Sequence, residues 1–191
     1  MKSAELHIRN MVSSRCIVAI RQMLKQLDMS EVERISLGRA VVGYEDERQL
    51  AQFIDALPSI GFALVEDEGQ QMVEMIKVAC IELFYHGNNA NSLIRNSDHL
   101  SERTGMAYHQ LSRVFSEQTN TTLEKYIILL KIERVKELLS YKDLTLSEIS
   151  YQMGYSSVQY LSNQFKQVTG FTPKQFKEGE GGGRIPLDRL I

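Results

Sequence analysis

The 191-residue chain is poor in the features that would classify it at once. It holds two cysteines, Cys16 and Cys80, too few for a disulfide framework, so a reducing compartment is the natural expectation. No apolar run approaches the length that spans a bilayer, and the opening MKSAELHIRN lacks an apolar core of signal-peptide length. A cytoplasmic location with no membrane partner is therefore expected. Paired carboxylates, a nucleophile motif, a phosphate-cradling glycine loop and a metal-ligand cluster are all missing, which leaves an enzyme as the weakest class. A strong charge is missing too, the net value being −2. Residues 1–96 carry 10 basic and 13 acidic side chains, residues 97–178 carry 10 and 9, and residues 179–191 carry 2 and 2. The C-terminal part is thus only weakly basic, which suits a DNA duplex if its cations gather on one face. The 43% hydrophobic content is enough for compact cores in one domain or two small ones.

What the chain does contain is an imperfect internal repeat. LSERTGMAYHQLSRVFSEQTN (100–120) returns as ISYQMGYSSVQYLSNQFKQVTG (149–170). Gly105 matches Gly154; after a one-residue insertion Leu111-Ser112 matches Leu161-Ser162, Phe115 matches Phe165 and Thr119 matches Thr169. A repeat this short implies one supersecondary unit used twice.

The front half alternates strand and helix patterns. ELHIRN reads as a strand, and Ile17, Ile20, Leu24 and Leu27 mark an amphipathic helix. VERISL and RAVVGY, divided by Gly38, predict a hairpin. Leu50, Phe53, Ile54 and Leu57 share the face of a helix closed by Pro58 and Gly61, and FALVED supplies a last strand. The order is βαββαβ, that of a ferredoxin-like sandwich, so the fold class is α+β. Residues 70–86 read as a longer helix with Val73, Ile76, Cys80 and Leu83 or Phe84 inward, broken by GNNANS. The expected domains are 1–67, a linker helix and connection at 68–96, a helical domain at 97–178 and a flexible tail at 179–191.

In the C-terminal half the helices are signposted by capping-box patterns at Thr121–Glu124, Thr145–Glu148 and Thr172–Gln175. The implied helices span about 97–104, 107–118, 122–140, 146–152, 157–168 and 173–178. They form two helix-turn-helix units joined by a rod of 18 residues, roughly 27 Å long. Successive major grooves on one side of a duplex lie roughly 34 Å apart, so such a rod suits two groove-entering helices. The second helix of the first unit exposes Tyr108, His109, Ser112 and Arg113, that of the second Gln159, Tyr160, Ser162 and Asn163. Both faces are expected to be rich in base readers and free of carboxylates. The competing view is that such tri-helical units are oligomerisation or protein-binding modules, with Leu111, Phe115, Leu161 and Phe165 simply as core.

With these motifs in their mutual spacing, residues 97–178 resemble the DNA-binding domain of AraC/XylS transcription regulators over its whole length. The specific signature is G-Y-S-S-x-x-Y-L-S-x-x-F-K-x-x-T-G-x-T-P in the second unit. The resemblance implies base contacts from His109, Ser112 and Arg113 in one groove and from Gln159, Tyr160 and Asn163 in the next. Ser157 and Lys166 fall on the implied phosphate path, where contacts position rather than specify. Arg113 suits guanine, and Gln159 and Asn163 suit adenine. Asn163 and Gln164 stand where such domains often carry basic residues.

The front half, with NMVSSRCIVAI at 10–20, resembles a heavy-metal-associated domain, in which M-x-C-x-x-C holds a soft metal ion such as copper or zinc. Met11 and Cys16 fall in register, but Ser13 replaces the first expected cysteine, and a hydroxyl is a poor ligand for a soft metal. Three explanations are open: a degenerate fold serving dimerisation or another ligand, an altered residue at position 13, or Cys16 acting as a lone thiol or with a ligand from a partner chain. Cys80 reads as a small core residue. The leading expectation is a sequence-specific transcription regulator whose partners are double-stranded DNA, the transcription machinery and a second copy of itself. The alternative is a soluble metal-handling, metallochaperone-like protein whose helical half binds another protein.

Overall fold

The computed structural model describes residues 2–86, 96–141 and 143–191. The chain divides into two compact units, Met1–Val78 and Ala79–Ile191. The architecture is α+β: a small antiparallel sheet in the first unit, helices throughout the second. Among the described residues no helix is long and apolar enough to cross a membrane.

The first unit runs β1 (Lys2–Arg9), α1 (Ser14–Gln26), β2 (Ser30–Glu31), β3 (Arg39–Tyr44), α2 (Glu47–Ala56), a 3₁₀ turn (Leu57–Ile60), β4 (Ala63–Leu64) and the start of α3 (Glu68–Ile81). The strands lie in the order β2-β3-β1-β4, every pairing antiparallel. In β1 and β3 alternate side chains point to one face, so Leu6, Ile8, Ala40 and Val42 meet Ile20 and Leu24 of α1 and Phe53 of α2 in one core. Asp46 caps α2 by accepting from the Gln49 N–H (2.9 Å).

The hairpin differs from the expected one. VERISL is not a strand: β2 is the short Ser30–Glu31 before it. The Glu31 carboxylate accepts from the Ile35 N–H (2.9 Å) and from Arg21 (2.8 and 2.9 Å); Val32 still donates to the Val41 carbonyl (3.0 Å), but residues 33–35 leave the ladder and Ile35 is seated in the core. Local side-chain acceptors compete with a ladder in this way.

The second unit contains the end of α3, a π-helical turn (Glu82–His86), α4 (Asn96–Thr104), α5 (Tyr108–Thr119), α6 (Leu123–Tyr141), α7 (Leu146–Gln152), α8 (Val158–Thr169) and α9 (Pro173–Lys177). The expected break at GNNANS lies outside the described residues. Capping boxes form at Thr145/Glu148 and Thr172/Gln175. At α6 the cap is Thr122, which accepts from the Lys125 N–H (3.1 Å), one residue later than the expected Thr121. Gly105 (φ +72°) and Gly154 (φ +66°) take the left-handed conformation at the turns, where a Cβ would be strained.

Helix α6 is buried on more than one face, through Leu123, Ile127, Leu130, Ile132, Val135 and Leu139. It also buries an ion pair. Lys136 donates to Glu133 at 2.6 Å with both side chains almost fully enclosed. Glu133 accepts in addition from the Ile185 N–H (2.8 Å), while Arg184 and Arg134 reach Glu137 (3.1 and 3.0 Å). Within the segment 179–191, expected to be flexible, residues 184 and 185 are thus tied to α6.

Removing one partner of a buried pair leaves an uncompensated charge, at a cost of about 3–5 kcal/mol, whereas removing both is far milder. Lys136→Met is expected to lower the denaturant midpoint of the second unit accordingly. Glu133→Gln/Lys136→Met, which keeps an acceptor for Ile185, is expected to recover most of that loss in the same urea titration.

Candidate nucleic-acid interface

The interface is built from the two copies of one local design. In each copy a leucine and a phenylalanine four residues on, Leu111 and Phe115 in α5, Leu161 and Phe165 in α8, are fully buried. Residues at i and i+4 share a helix face, so their burial turns the opposite face to solvent. The copies match in finer detail as well. Thr119 Oγ1 donates to the carbonyl of Phe115 (2.7 Å) and Thr169 Oγ1 to that of Phe165 (2.8 Å). Asn120 (φ +56°) and Gly170 (φ +83°) then end the helices in the left-handed conformation. The repeat runs further than the sequence alignment, since Thr122 and Thr172 cap the next helices. Tyr126 packs on Phe115 (5.2 Å between centroids) and Phe176 on Phe165 (5.6 Å). The first turn of α6 is therefore the counterpart of α9.

On α5, His109 and Arg113 are exposed and Ser112 is half-buried. Tyr108, expected to face outward, is half-buried and donates to Glu124 (3.0 Å). The expectation of a carboxylate-free face is wrong here: Glu117, exposed one turn beyond Arg113, lies 3.4 Å from its guanidinium. Met106, His109, Gln110, Arg113 and Val114 line a hollow of about 240 Å³, so apolar Met106 and Val114 join the face. The sequence reading missed Met106, Val114 and Glu117. For Glu117 the i+4 spacing from Arg113 was the available signal.

On α8, Gln159, Tyr160 and Asn163 are exposed, Ser162 is half-buried, and no carboxylate intervenes. The Gln159 amide donates through Nε2 to Asn163 Oδ1 (2.8 Å). That bond fixes both amides and leaves Gln159 Oε1 as an outward acceptor and Asn163 Nδ2 as an outward donor. An adjacent acceptor and donor match the N6 and N7 of adenine. Gln164 does not join them, since it accepts from Tyr155 Oη (2.7 Å) on the inner side. The Ser157 hydroxyl caps α8 by accepting from the Tyr160 N–H (3.1 Å), so its own hydrogen remains for an anion. Lys166 is exposed on the last turn. The first helix-turn-helix copy lacks a hydroxyl cap: Ala107 precedes α5, and Gln110 Oε1 alone reaches back to its N–H (3.3 Å).

The metal motif of the first unit does not assemble a site. Met11, expected in ligand register, is a core residue. Cys16 is half-buried with its Sγ 3.6 Å from Ser13 Oγ, and a hydroxyl is a hard partner for a soft cation. Cys80 is fully buried and its thiol is pushed up to about 12 by burial, which leaves it inert as a core residue. Among the described residues, no three His, Cys, Asp or Glu side chains converge as metal ligands. The donor set present does not fit a copper or zinc ion.

A family model described as a helix-turn-helix domain matches residues 100–179. An uncharacterized HTH-type transcriptional regulator in the cgkA 5′ region of Pseudoalteromonas carrageenovora is 34% identical over 95 residues, covering 50% of this chain and 55% of that protein. The xylose operon regulatory protein of Escherichia coli (strain K12) is 22% identical over 174 residues, 85% of this chain and 44% of its own. The chain spans about half the length of these curated relatives. Among solved structures, the C-terminal domain of AraT, a response regulator from Geobacillus stearothermophilus, is 20% identical with a TM-score of 0.49, covering 59% of this chain and 88% of that one. The structure of the xylose-binding transcription activator xylR is 20% identical with a TM-score of 0.44, over 86% and 37%. The C-terminal half of this chain carries a helix-turn-helix domain.

Proposed function

We propose that the protein is a sequence-specific DNA-binding transcription regulator that lays α5 and α8 in successive major grooves on one side of a duplex. The observation that carries this reading is the duplicated unit: two helices with solvent-facing polar side chains, each anchored by a buried leucine–phenylalanine pair to elements around α6. At 19 residues α6 is roughly 28 Å long, close to the groove repeat of roughly 34 Å. His109, Ser112 and Arg113 read one groove, and Gln159, Tyr160 and Asn163 the next. Ser157 and Lys166 hold the phosphates between these contacts.

The first unit, in this proposal, is a ferredoxin-like sandwich that serves sensing or assembly. Its support is the strand order β2-β3-β1-β4 with α1 and α2 in one core. Among the described residues, no metal-donor cluster favours the metal-handling alternative. A second copy of the chain and the transcription machinery are the protein partners the proposal implies.

Two outcomes follow. Selection from a random duplex pool is expected to enrich a sequence whose affinity falls steeply with added salt, because each phosphate contact releases counterions. Enrichment of no sequence rejects the proposal. Arg113→Ala is expected to cost about 1–3 kcal/mol and to relax one base position, while Gln159→Ala relaxes a position roughly one helical turn away. Competition binding against single-base variants of the selected duplex reads both; equal discrimination by wild type and variants removes these residues as readers.

A further inference from the structure

Lys131 lies outside every role assigned above. It projects from the middle of α6, half-buried, into the space between the π-helical turn and the α7–α8 turn. Its Nζ stands 4.1 Å from the centroid of the Tyr155 ring and 5.9 Å from that of Phe84. Tyr155 in turn is joined to α8 twice. Its ring lies 5.9 Å from that of Tyr160, and its hydroxyl donates to Gln164 (2.7 Å). Tyr160 is on the exposed face with Gln159 and Asn163.

We propose that Lys131 is a positioning residue for α8: its ammonium, held over the face of Tyr155, fixes the ring against which Tyr160 is set. This rests on α8 being a DNA reader. An ammonium over a ring face is attracted by the ring quadrupole, and the attraction strengthens as water is excluded. The neutral amine has no such hold on the ring. The charge of Lys131 therefore governs how firmly Tyr155, and through it the start of α8, is kept in place.

The surroundings make that charge titratable in an accessible range. Burial pulls the Lys131 pKa down to about 8. The π-helical turn faces it with Phe84, the α7–α8 turn with Tyr155, and α8 behind that with Tyr160. Burial pushes the Tyr155 phenol well above its ordinary range, so it stays neutral as Lys131 titrates. On α6 the neighbouring charges are spent on each other, Glu133 with Lys136 and Arg134 with Glu137. None of them serves as a counterion for Lys131.

The sign of the effect is unusual. A lysine depressed in the folded state binds its proton less readily there than when unfolded. Fold stability from this group therefore rises as pH climbs from about 8 toward 10.5 and is level below. DNA binding moves the other way, since the charged form is the one that holds Tyr155. A side chain with a merely structural role moves both quantities in the same direction.

The test compares the full chain with Lys131→Arg, which keeps the cation at all working pH values, and Lys131→Met, which removes it. On the duplex selected by wild type at pH 7, wild-type affinity is expected to fall about fivefold to tenfold by pH 9. Lys131→Arg is expected to be level over that range and Lys131→Met weak and level. A level wild-type profile, or the same fall in Lys131→Arg, overturns the proposal. Wild type and the arginine variant decide the matter even if Lys131→Met does not fold. The ring resonances of Tyr160 are followed over the same range without DNA. Displacement with a midpoint near 8 in wild type that vanishes in Lys131→Arg supports the positioning role, and no displacement rejects it. Should no duplex be enriched at all, the DNA reading fails by itself, and the Tyr160 resonances still judge the coupling.

Discussion

The second unit depends on the burial of α6 on more than one face. A rod with apolar side chains on more than one side must be covered by neighbours from several directions. The two helix-turn-helix copies do this covering. Each contributes one leucine and one phenylalanine from its second helix, and that commitment turns the polar stripes of α5 and α8 to water. The polar face is thus the complement of the packing. The same crowding explains why charged residues of α6 are enclosed. Glu133 and Lys136 neutralise each other inside, and Lys131 meets rings where a surface lysine meets solvent.

Duplication gives two copies of a scaffold without two copies of a surface. The Thr119 and Thr169 hydroxyl bonds, the left-handed helix ends and the ring pairs Phe115–Tyr126 and Phe165–Phe176 are shared. The outward residues are not. On α5 an arginine is paired with Glu117 beside an apolar hollow; on α8 two amides lock each other and no acid is present. Ala107 leaves the start of α5 without a hydroxyl acceptor, whereas Ser157 supplies one to α8. Glu117 lowers the positive charge of the α5 face, a difference from α8 that the shared scaffold does not dictate.

Much of this was legible in the sequence because helix ends are written in local chemistry. Thr145 with Glu148, and Thr172 with Gln175, satisfy free N–H groups within four residues, so spacing alone reveals them. In the front unit β1 was legible from the alternation that puts Leu6 and Ile8 on one face, which needs no tertiary knowledge. The misses have longer reach. Thr121 and Thr122 both suit a cap; only the repeat, extended to Thr172, favours the second. VERISL has the composition of a strand, but Glu31 is drawn to Arg21 and to the Ile35 N–H, a capture that no alternation pattern encodes. Tyr108 looked like a reader until Glu124, sixteen positions on, took its hydroxyl. Glu117 differs from these: its pairing with Arg113 is encoded in the helical i, i+4 spacing of the two. The bonds from residues 184 and 185 to α6 carry no sequence signature, since 47 and 52 positions, with α7, α8 and α9 among them, separate the partners.

Those last bonds bear on how the polypeptide matures at the ribosome. Glu133 receives one of its partners from Ile185, 52 residues downstream. At the usual speed of translation that stretch takes roughly 3–10 s to emerge. During this interval α6 exists with its interior carboxylate incompletely solvated by the protein. The nascent unit must then either hold that site open to water or stay loosely collapsed. Lys136, three residues on, is the partner that Glu133 has from the outset, and the bond from Ile185 is the one that waits for the C-terminal residues to emerge.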